Sequence, residues 1–103
     1  MSDVYETDRY VGEYLLFHYG KPEEILPWED GPAAALDFPV RTVGHFSKGS
    51  VERSLDVGCA VGRSSFELGR TSGEVIGIDF SRAFITAADK IGAGQTLSCQ
   101  RLD

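Results

Sequence analysis

Apolar residues recur at helical spacing near the start of the chain and in short strand-like runs in its second half. In DRYVGEYLLFHY (8–19), Tyr10, Tyr14 and Phe17 recur at i, i+4 and i+7, which predicts an amphipathic helix. The later pattern predicts strands over 53–58, 74–80 and 95–102, with helices over 62–70 and 81–92 between them. This β-α-β-α-β order is typical of a doubly wound parallel sheet with right-handed crossovers.

All four prolines of the chain lie within residues 20–39. Proline removes a backbone donor and fixes φ, so this segment is predicted to be a connection, with at most a short helical turn in PAAAL (32–36). The following VRTVGHFS (40–47) predicts a short helix. The chain therefore divides into a helical segment, 1–50, and an α/β segment, 51–103.

Three small residues, Gly58, Ala60 and Gly62, follow the first predicted strand directly, and Asp56 precedes them. In a parallel α/β sheet the first strand–helix turn lies at the carboxyl end of its strand, where ligands bind. Small residues let the chain turn sharply and let a ligand approach the backbone. Backbone N–H groups at the following helix start are then expected to face that ligand.

Three ligands commonly bind at such a turn. A phosphate loop needs Gly-Lys-Ser/Thr, whereas this chain has Gly62-Arg63-Ser64. A dinucleotide turn, G-x-G-x-x-G, would place its second and third glycines on Ala60 and Arg63. An S-adenosylmethionine turn, acid-x-G-x-G-x-G, fits from Asp56 to Gly62 with alanine in the middle glycine position.

Charge favours the third ligand. S-adenosylmethionine carries a sulfonium and an ammonium and no pyrophosphate, so Asp56 attracts it and would repel a diphosphate. Asp79 ends the second predicted strand, where an acid can accept both hydroxyls of an adenosine ribose. Phe80 beside it offers a face for the adenine ring. Asp79 would suit the ribose of a nicotinamide cofactor equally well, so it does not separate the two ligands. The preference for S-adenosylmethionine rests on Asp56, and on Arg63 in the position where a dinucleotide turn has its third glycine.

Composition argues against several functional classes and predicts where the protein is found. A net charge of −6 argues against non-specific nucleic-acid binding, which needs a basic face. Cys59 and Cys99 are expected to be reduced thiols of a cytosolic protein, and His18 and His45 have no ligand cluster around them that would indicate a metal site. The charged start is not a signal peptide, and no run approaches the roughly 18 apolar residues of a membrane span. We therefore expect a soluble, cytoplasmic protein.

Several segments together resemble the 4-mercaptohistidine N-methyltransferase family of ovothiol biosynthesis, within the class I S-adenosylmethionine-dependent methyltransferases. They are YLLFHYG (14–20), EEILPW (23–28), LDFPVRTV (36–43), LDVGCAVGRSSFELGR (55–70) and EVIGIDFS (74–81). The resemblance implies an α/β, Rossmann-like class I methyltransferase fold. The fold expected here is partial, with about three parallel strands and flanking helices after an N-terminal helical cap of residues 1–50. Residues 51–103 would form the first half of the donor-binding domain.

The resemblance also implies a site. It places the methionine part of the donor at Gly58, Cys59, Ala60 and Gly62, the ribose at Asp79, and the adenine amino group at Asp103. The predicted donor-binding set is Asp56, Gly58, Cys59, Ala60, Gly62, Asp79, Phe80 and Asp103. No catalytic residue is predicted.

By the same resemblance the chain methylates a ring nitrogen of 4-mercaptohistidine or a related thiol-histidine, fused to or acting with an iron-dependent sulfoxide synthase. A complete domain of this class has more strands than the three predicted. We therefore expect an N-terminal fragment that is inactive alone. The alternatives are a non-catalytic donor-binding remnant or interaction module, and an NAD-dependent oxidoreductase.

Simpler roles stay open for several of these residues. The glycine turn could be a tight strand–helix connection, with Asp56 forming only local hydrogen bonds. Cys59 fits a small packing residue that lends its backbone N–H better than a nucleophile, because no activating partner is evident. Tyr14 fits a core face or a lid over the donor. Arg41 fits either a surface position or a grip on a carboxylate.

Overall fold

The computed structural model describes residues 3–26, 32, 35–46 and 49–94. A 3₁₀ turn, Asp3–Glu6, precedes the first regular helix. The elements that follow are α1 (Asp8–Tyr19), α2 (Pro22–Ile25), α3 (Phe38–Gly44), β1 (Val51–Val57), α4 (Arg63–Leu68), β2 (Ser72–Ile78) and α5 (Arg82–Gly92). The third predicted strand, 95–102, lies outside the described residues, together with Cys99 and Asp103.

The described sheet consists of β1 and β2, which run parallel with α4 as the crossover. This confirms the predicted β-α-β unit, and the mixed helix and strand order fits a partial Rossmann-like fold. Both strands lie about two residues earlier than predicted. Strand β2 ends at Ile78, whose carbonyl accepts hydrogen bonds from the Gly58 and Cys59 N–H groups of the turn. Asp79 consequently lies just beyond the strand rather than in it.

The start of α4 requires a glycine. Gly62 has φ +88°, and a Cβ there would lie 3.1 Å from Ala88 Cβ and 3.1 Å from a ring carbon of Phe66. The left-handed backbone and the close approach of α4 to α5 thus both make a side chain unfavourable at this position. The helix is shorter than the predicted 62–70.

Ser81, the first residue of the helix predicted over 81–92, is the N-cap of α5 and is 3% exposed. Its hydroxyl accepts a hydrogen bond from the Phe84 N–H and donates one to the Tyr5 carbonyl, 2.7 Å away. Glu6 accepts from the backbone N–H groups of Arg82 and Ala83. The chain start therefore satisfies donors that a helix N-terminus leaves unpaired.

Helix α1 has the predicted bounds, whereas the connection after it is not simply irregular. Pro22 begins α2, a short helix that the proline count led us to miss. Proline is favoured in a first helical turn, and the Glu24 carboxylate accepts from the Lys21 N–H at 2.8 Å. Proline also favours the start of α3, which contains Pro39 in its first turn. This helix begins two residues before the predicted 40–47.

The buried core lies at the carboxyl end of the strands. It consists of Leu15, Ala60, Val61, Phe84 and Ala87, with Tyr5, Val11, Tyr14, Tyr19 and Ile91 packed against it. The core-facing side of α1 therefore centres on Leu15 and includes Tyr14 of the aromatic stripe. The glycine turn supplies two of the core residues, so the fold and the candidate site share one core.

One face of the sheet is apolar and exposed. Leu55 pairs with Ile76, and Val57 with Ile78; these four side chains are 47–71% exposed. Alternate residues point toward α4 on the other face, as strand geometry requires. No described residue covers the apolar face. None of the helices that the structure describes has the length and apolar character to cross a membrane.

Candidate functional site

The glycine turn is built from left-handed backbone conformations. Gly58 has φ +76°, Ala60 φ +48° and Gly62 φ +88°. For alanine this conformation costs about 1–2 kcal/mol, so the turn is held against a local preference at Ala60. A Cβ at Gly58 would meet no atom within 4 Å, which leaves open space beside the backbone there.

The backbone N–H groups of residues 58–60 all donate hydrogen bonds within the protein. The N–H groups of Gly58 and Cys59 donate to the Ile78 carbonyl at 2.7 and 2.9 Å. The Ala60 N–H donates to Asp79 Oδ2 at 2.9 Å. The backbone N–H that Cys59 was expected to lend to a ligand is therefore bonded within the protein. The expectation that N–H groups at the start of α4 face the ligand stays a prediction. A loop that cradles phosphate presents its N–H groups outward instead.

Asp79 bridges the turn and α5. While Oδ2 accepts from Ala60, Oδ1 accepts from the Ser81 N–H at 2.8 Å. An ionised carboxylate has about four lone-pair sites, so each oxygen keeps room for a further donor such as a ribose hydroxyl. The ribose role of Asp79 stays a prediction, while its bond to the turn is an observed feature.

Asp56 is tied to α4 beneath the turn. Its Oδ2 accepts from the Ser65 hydroxyl at 2.7 Å. Gly77 is its partner in the register, and a Cβ at Gly77 would lie 2.7 Å from that hydroxyl oxygen. Asp56 thus has the local bonding role left open above, although its partner is a side chain. Sequence reasoning missed Ser65; its place one helical turn after Gly62 was the available signal.

The C-terminal end of α1 lies against the turn. The Tyr19 hydroxyl donates to the Val61 carbonyl at 2.7 Å, and Val61 is fully buried. The Arg63 guanidinium lies 5.8 Å from the centre of the Tyr19 ring and pairs with Glu67 at 3.5 Å. Arg63 therefore packs toward α1. Sequence reasoning missed Tyr19, which lies outside the aromatic stripe of Tyr10, Tyr14 and Phe17.

Burial governs the titrating groups around the turn. It raises the pKa of Tyr19 to about 12. It also raises the pKa of the Cys59 thiol, as do Asp56 and Asp79, so this cysteine stays protonated and fits a packing residue rather than a nucleophile. Burial lowers the pKa of His18; Arg63 adds to this, and Asp56 opposes it.

The remaining predicted residues lie in different settings. Phe80 is 76% exposed beside Asp79, and its adenine contact stays a prediction. The Tyr14 ring lies 4.5 Å from that of Phe84, which supports the core role. Burial and the charges of neighbours including Asp79 raise the pKa of Tyr14. Arg41 donates to the Leu36 carbonyl at the surface. Over the described ranges no cluster of three or more His, Cys, Asp or Glu could hold a metal ion.

Comparison with known families points to the same part of the chain. Residues 55–103, just under half of the sequence, match the family model described as a methyltransferase domain. The matched region includes the glycine turn and Asp79. The match supports a class I S-adenosylmethionine-dependent methyltransferase, and members of this family generally bind that donor. A search of curated proteins found no match to the chain.

Tyr19→Phe removes the hydroxyl that binds the Val61 carbonyl. We expect the free energy of unfolding to fall by about 1–2 kcal/mol at neutral pH, because a buried carbonyl loses its partner. A raised folded pKa contributes stability that is complete below pH 10 and is lost as pH rises through about 12. The gap between wild type and variant should therefore narrow above pH 10, as measured by urea unfolding followed by circular dichroism.

Tyr10→Phe is the matched control. Tyr10 makes ring contacts with Tyr5 and Arg9 that phenylalanine keeps. Its free energy of unfolding at neutral pH should stay within about 0.5 kcal/mol of wild type. A Tyr19→Phe gap that stays constant or widens up to pH 12 would contradict the burial of this hydroxyl in the fold.

Proposed function

We propose that the chain binds S-adenosylmethionine at the Gly58–Gly62 turn and serves N-methylation of a ring nitrogen of 4-mercaptohistidine or a related thiol-histidine. The observation that supports S-adenosylmethionine as the ligand is the direction of the backbone N–H groups in the turn. The N–H groups of residues 58–60 donate to Ile78 and Asp79, so these three are not available to a diphosphate. Carboxylates at the ends of both strands favour a cationic nucleoside instead.

The donor-binding residues fit this ligand. Asp79 would accept the ribose hydroxyls with its remaining lone pairs, and the exposed ring of Phe80 would lie against the adenine. The open space beside Gly58 would admit the methionine part, close to Cys59, Ala60 and Gly62. Asp56 would attract the positive end of the donor, and Asp103 would meet the adenine amino group.

The proposed reaction is an in-line displacement. S-adenosylmethionine supplies an electrophilic methyl group on a sulfonium, so the protein need not generate the reactive group. What the chain contributes is placement: a turn fixed from two sides holds the donor at near-attack distance from the ring nitrogen. The acceptor itself is supported by the resemblance of the five segments, which includes the N-terminal helix and not only the general donor turn.

We further propose that these 103 residues are one part of a larger catalytic unit. Support comes from the apolar sheet face of Leu55, Val57, Ile76 and Ile78, since parallel sheets are normally covered on both faces. The chain alone would then bind the donor weakly and transfer no methyl group. The unit would be cytoplasmic and would be fused to or act with an iron-dependent sulfoxide synthase. The same exposed face fits the second candidate, a donor-binding module without catalysis.

Calorimetric titration of the chain separates the donor from a nicotinamide cofactor. We expect S-adenosylhomocysteine to bind and NADH not to bind, because the N–H groups of residues 58–60 are bonded within the protein and two carboxylates would repel a diphosphate. Asp79→Ala should weaken binding by about tenfold or more, since two charged hydrogen bonds disappear. Asp89→Ala, at an exposed acid on α5, is the control and should bind as wild type does. Binding of NADH in place of S-adenosylhomocysteine would reject the donor.

The acceptor is tested with the complete gene product. Incubation with isotopically labelled methyl donor should label a ring nitrogen of 4-mercaptohistidine, with histidine as the comparison substrate. The 103-residue chain alone should give no labelled product. Donor binding by the complete product without any transfer would favour the non-catalytic module. Transfer by the short chain alone would contradict the proposed larger unit.

A further inference from the structure

The connection between β2 and α5 contains both residues that we assign to the ribose and adenine of the donor. Asp79 and Phe80 lie in it, and Ser81 closes it as the N-cap of α5. The Asp79 carboxylate holds one side of this connection, because it accepts a hydrogen bond from the Ala60 N–H. The Phe80 side chain is 76% exposed, so its placement depends on how the backbone on either side is held.

The 3₁₀ turn that precedes α1 holds the other side of this connection. The Ser81 hydroxyl donates to the Tyr5 carbonyl at 2.7 Å. Glu6 accepts from the Arg82 N–H through Oε1 at 2.8 Å and from the Ala83 N–H through Oε2 at 3.2 Å. These three bonds join residues that are 76 or 77 positions apart, so they depend on the tertiary fold and not on local chain geometry.

Glu6 has the charge and the shape that a helix N-terminus binds. The first N–H groups of a helix have no partner within it, and the helix dipole favours an anion beside them. A carboxylate that uses both oxygens fixes its donors more narrowly than a single bond does. Ser81 directly precedes these donors, and its own N–H donates to Asp79 Oδ1 at 2.8 Å. A series of bonds therefore runs from Glu6 to the carboxylate that would bind the ribose.

We propose that Glu6 is a positioning residue of the nucleoside site, which fixes residues 79–81 for the ribose and adenine of the donor by binding the first N–H groups of α5. This inference rests on the proposed function and adds to it a residue that acts through the backbone rather than on the ligand. Coupling between two sites is reciprocal, so a bound donor also strengthens the bonds of Glu6. Two separate effects are expected, one on ligand affinity and one on amide exchange in α5.

Glu6→Ala tests the effect on affinity. We expect it to weaken the binding of S-adenosylhomocysteine and of adenosine by the same factor, about fivefold, because both ligands contain the nucleoside that residues 79–81 would hold. Titrations followed by amide NMR shifts of the 103-residue chain measure both affinities, even where they are weak. Glu13→Ala is the matched control, since this carboxylate pairs with Arg9 within α1 at 3.4 Å, and it should bind both ligands as wild type does.

A conservative variant separates the hydrogen bonds of Glu6 from its charge. Glutamine keeps one acceptor oxygen and loses the negative charge, so Glu6→Gln should retain part of the affinity that Glu6→Ala loses. If Glu6 acted only by attracting a cationic ligand, the two variants would lose the same affinity, and binding of the neutral adenosine would not change.

Hydrogen–deuterium exchange reports on the bonds themselves. In wild type, bound S-adenosylhomocysteine should slow the exchange of the Arg82 and Ala83 amides. In Glu6→Ala these two amides should exchange about tenfold faster than in wild type, because they lose their acceptor. The Cys59 amide, bonded to the Ile78 carbonyl, should keep its protection in the variant and shows that the fold is intact.

Three affinity results would overturn the inference. They are unchanged affinity for both ligands in Glu6→Ala, a loss for S-adenosylhomocysteine without a loss for adenosine, and equal losses in Glu6→Ala and Glu6→Gln. Exchange of the Arg82 and Ala83 amides that does not respond to bound S-adenosylhomocysteine would also contradict it, while the proposed donor would stand. If wild type binds neither ligand, the proposed donor fails and this inference fails with it.

Discussion

The carboxylate of Asp79 holds the glycine turn in place. It accepts one backbone N–H from Ala60 in the turn and another from Ser81 at the start of α5. Hydrogen bonds to a charged acceptor contribute about 1.5–3 kcal/mol each, which exceeds the roughly 1–2 kcal/mol that alanine loses in a left-handed conformation. An alanine can therefore occupy the middle position of a turn that would otherwise need glycine.

From this constraint follows the chemical character of the site. Once the amides at residues 58–60 are turned inward, these three are not available to an anion, while the carboxylates of Asp56 and Asp79 lie at the carboxyl ends of the two strands. The fold resembles nucleotide-binding α/β proteins in its β-α-β unit, yet the proposal of a cationic nucleoside rests on the direction of a few N–H groups. The match of residues 55–103 to a methyltransferase domain agrees with S-adenosylmethionine as the proposed ligand.

Sequence patterns predicted the features that depend on local rules. The bounds of α1, the serine cap of α5 and the parallel β-α-β unit all follow from periodicity and capping chemistry. Helix α2 was missed because prolines suggest a break, although proline in a first helical turn favours helix. Of the aromatic stripe of α1, Tyr14 packs against the core as predicted, whereas the buried residue of this helix is its neighbour Leu15.

Long-range contacts within the site were beyond sequence reasoning. Tyr19 reaches Val61 across 42 positions, and Ser65 binds Asp56 on a different element. No spacing rule connects such pairs, because the packing of α1 and α4 on the turn decides them. The inward direction of the amides is also a tertiary result, since it needs the Ile78 carbonyl of the neighbouring strand.

Hydrogen–deuterium exchange of individual amides, read by NMR, tests the bracing of the turn most directly. In wild type the Ala60 and Ser81 amides should exchange slowly, because each donates to Asp79. In Asp79→Ala both should lose protection, while the Gly58 amide, bonded to the Ile78 carbonyl, should keep it. An Ala60 amide that exchanges at the unprotected rate in wild type, or equally slowly in both proteins, would contradict the account.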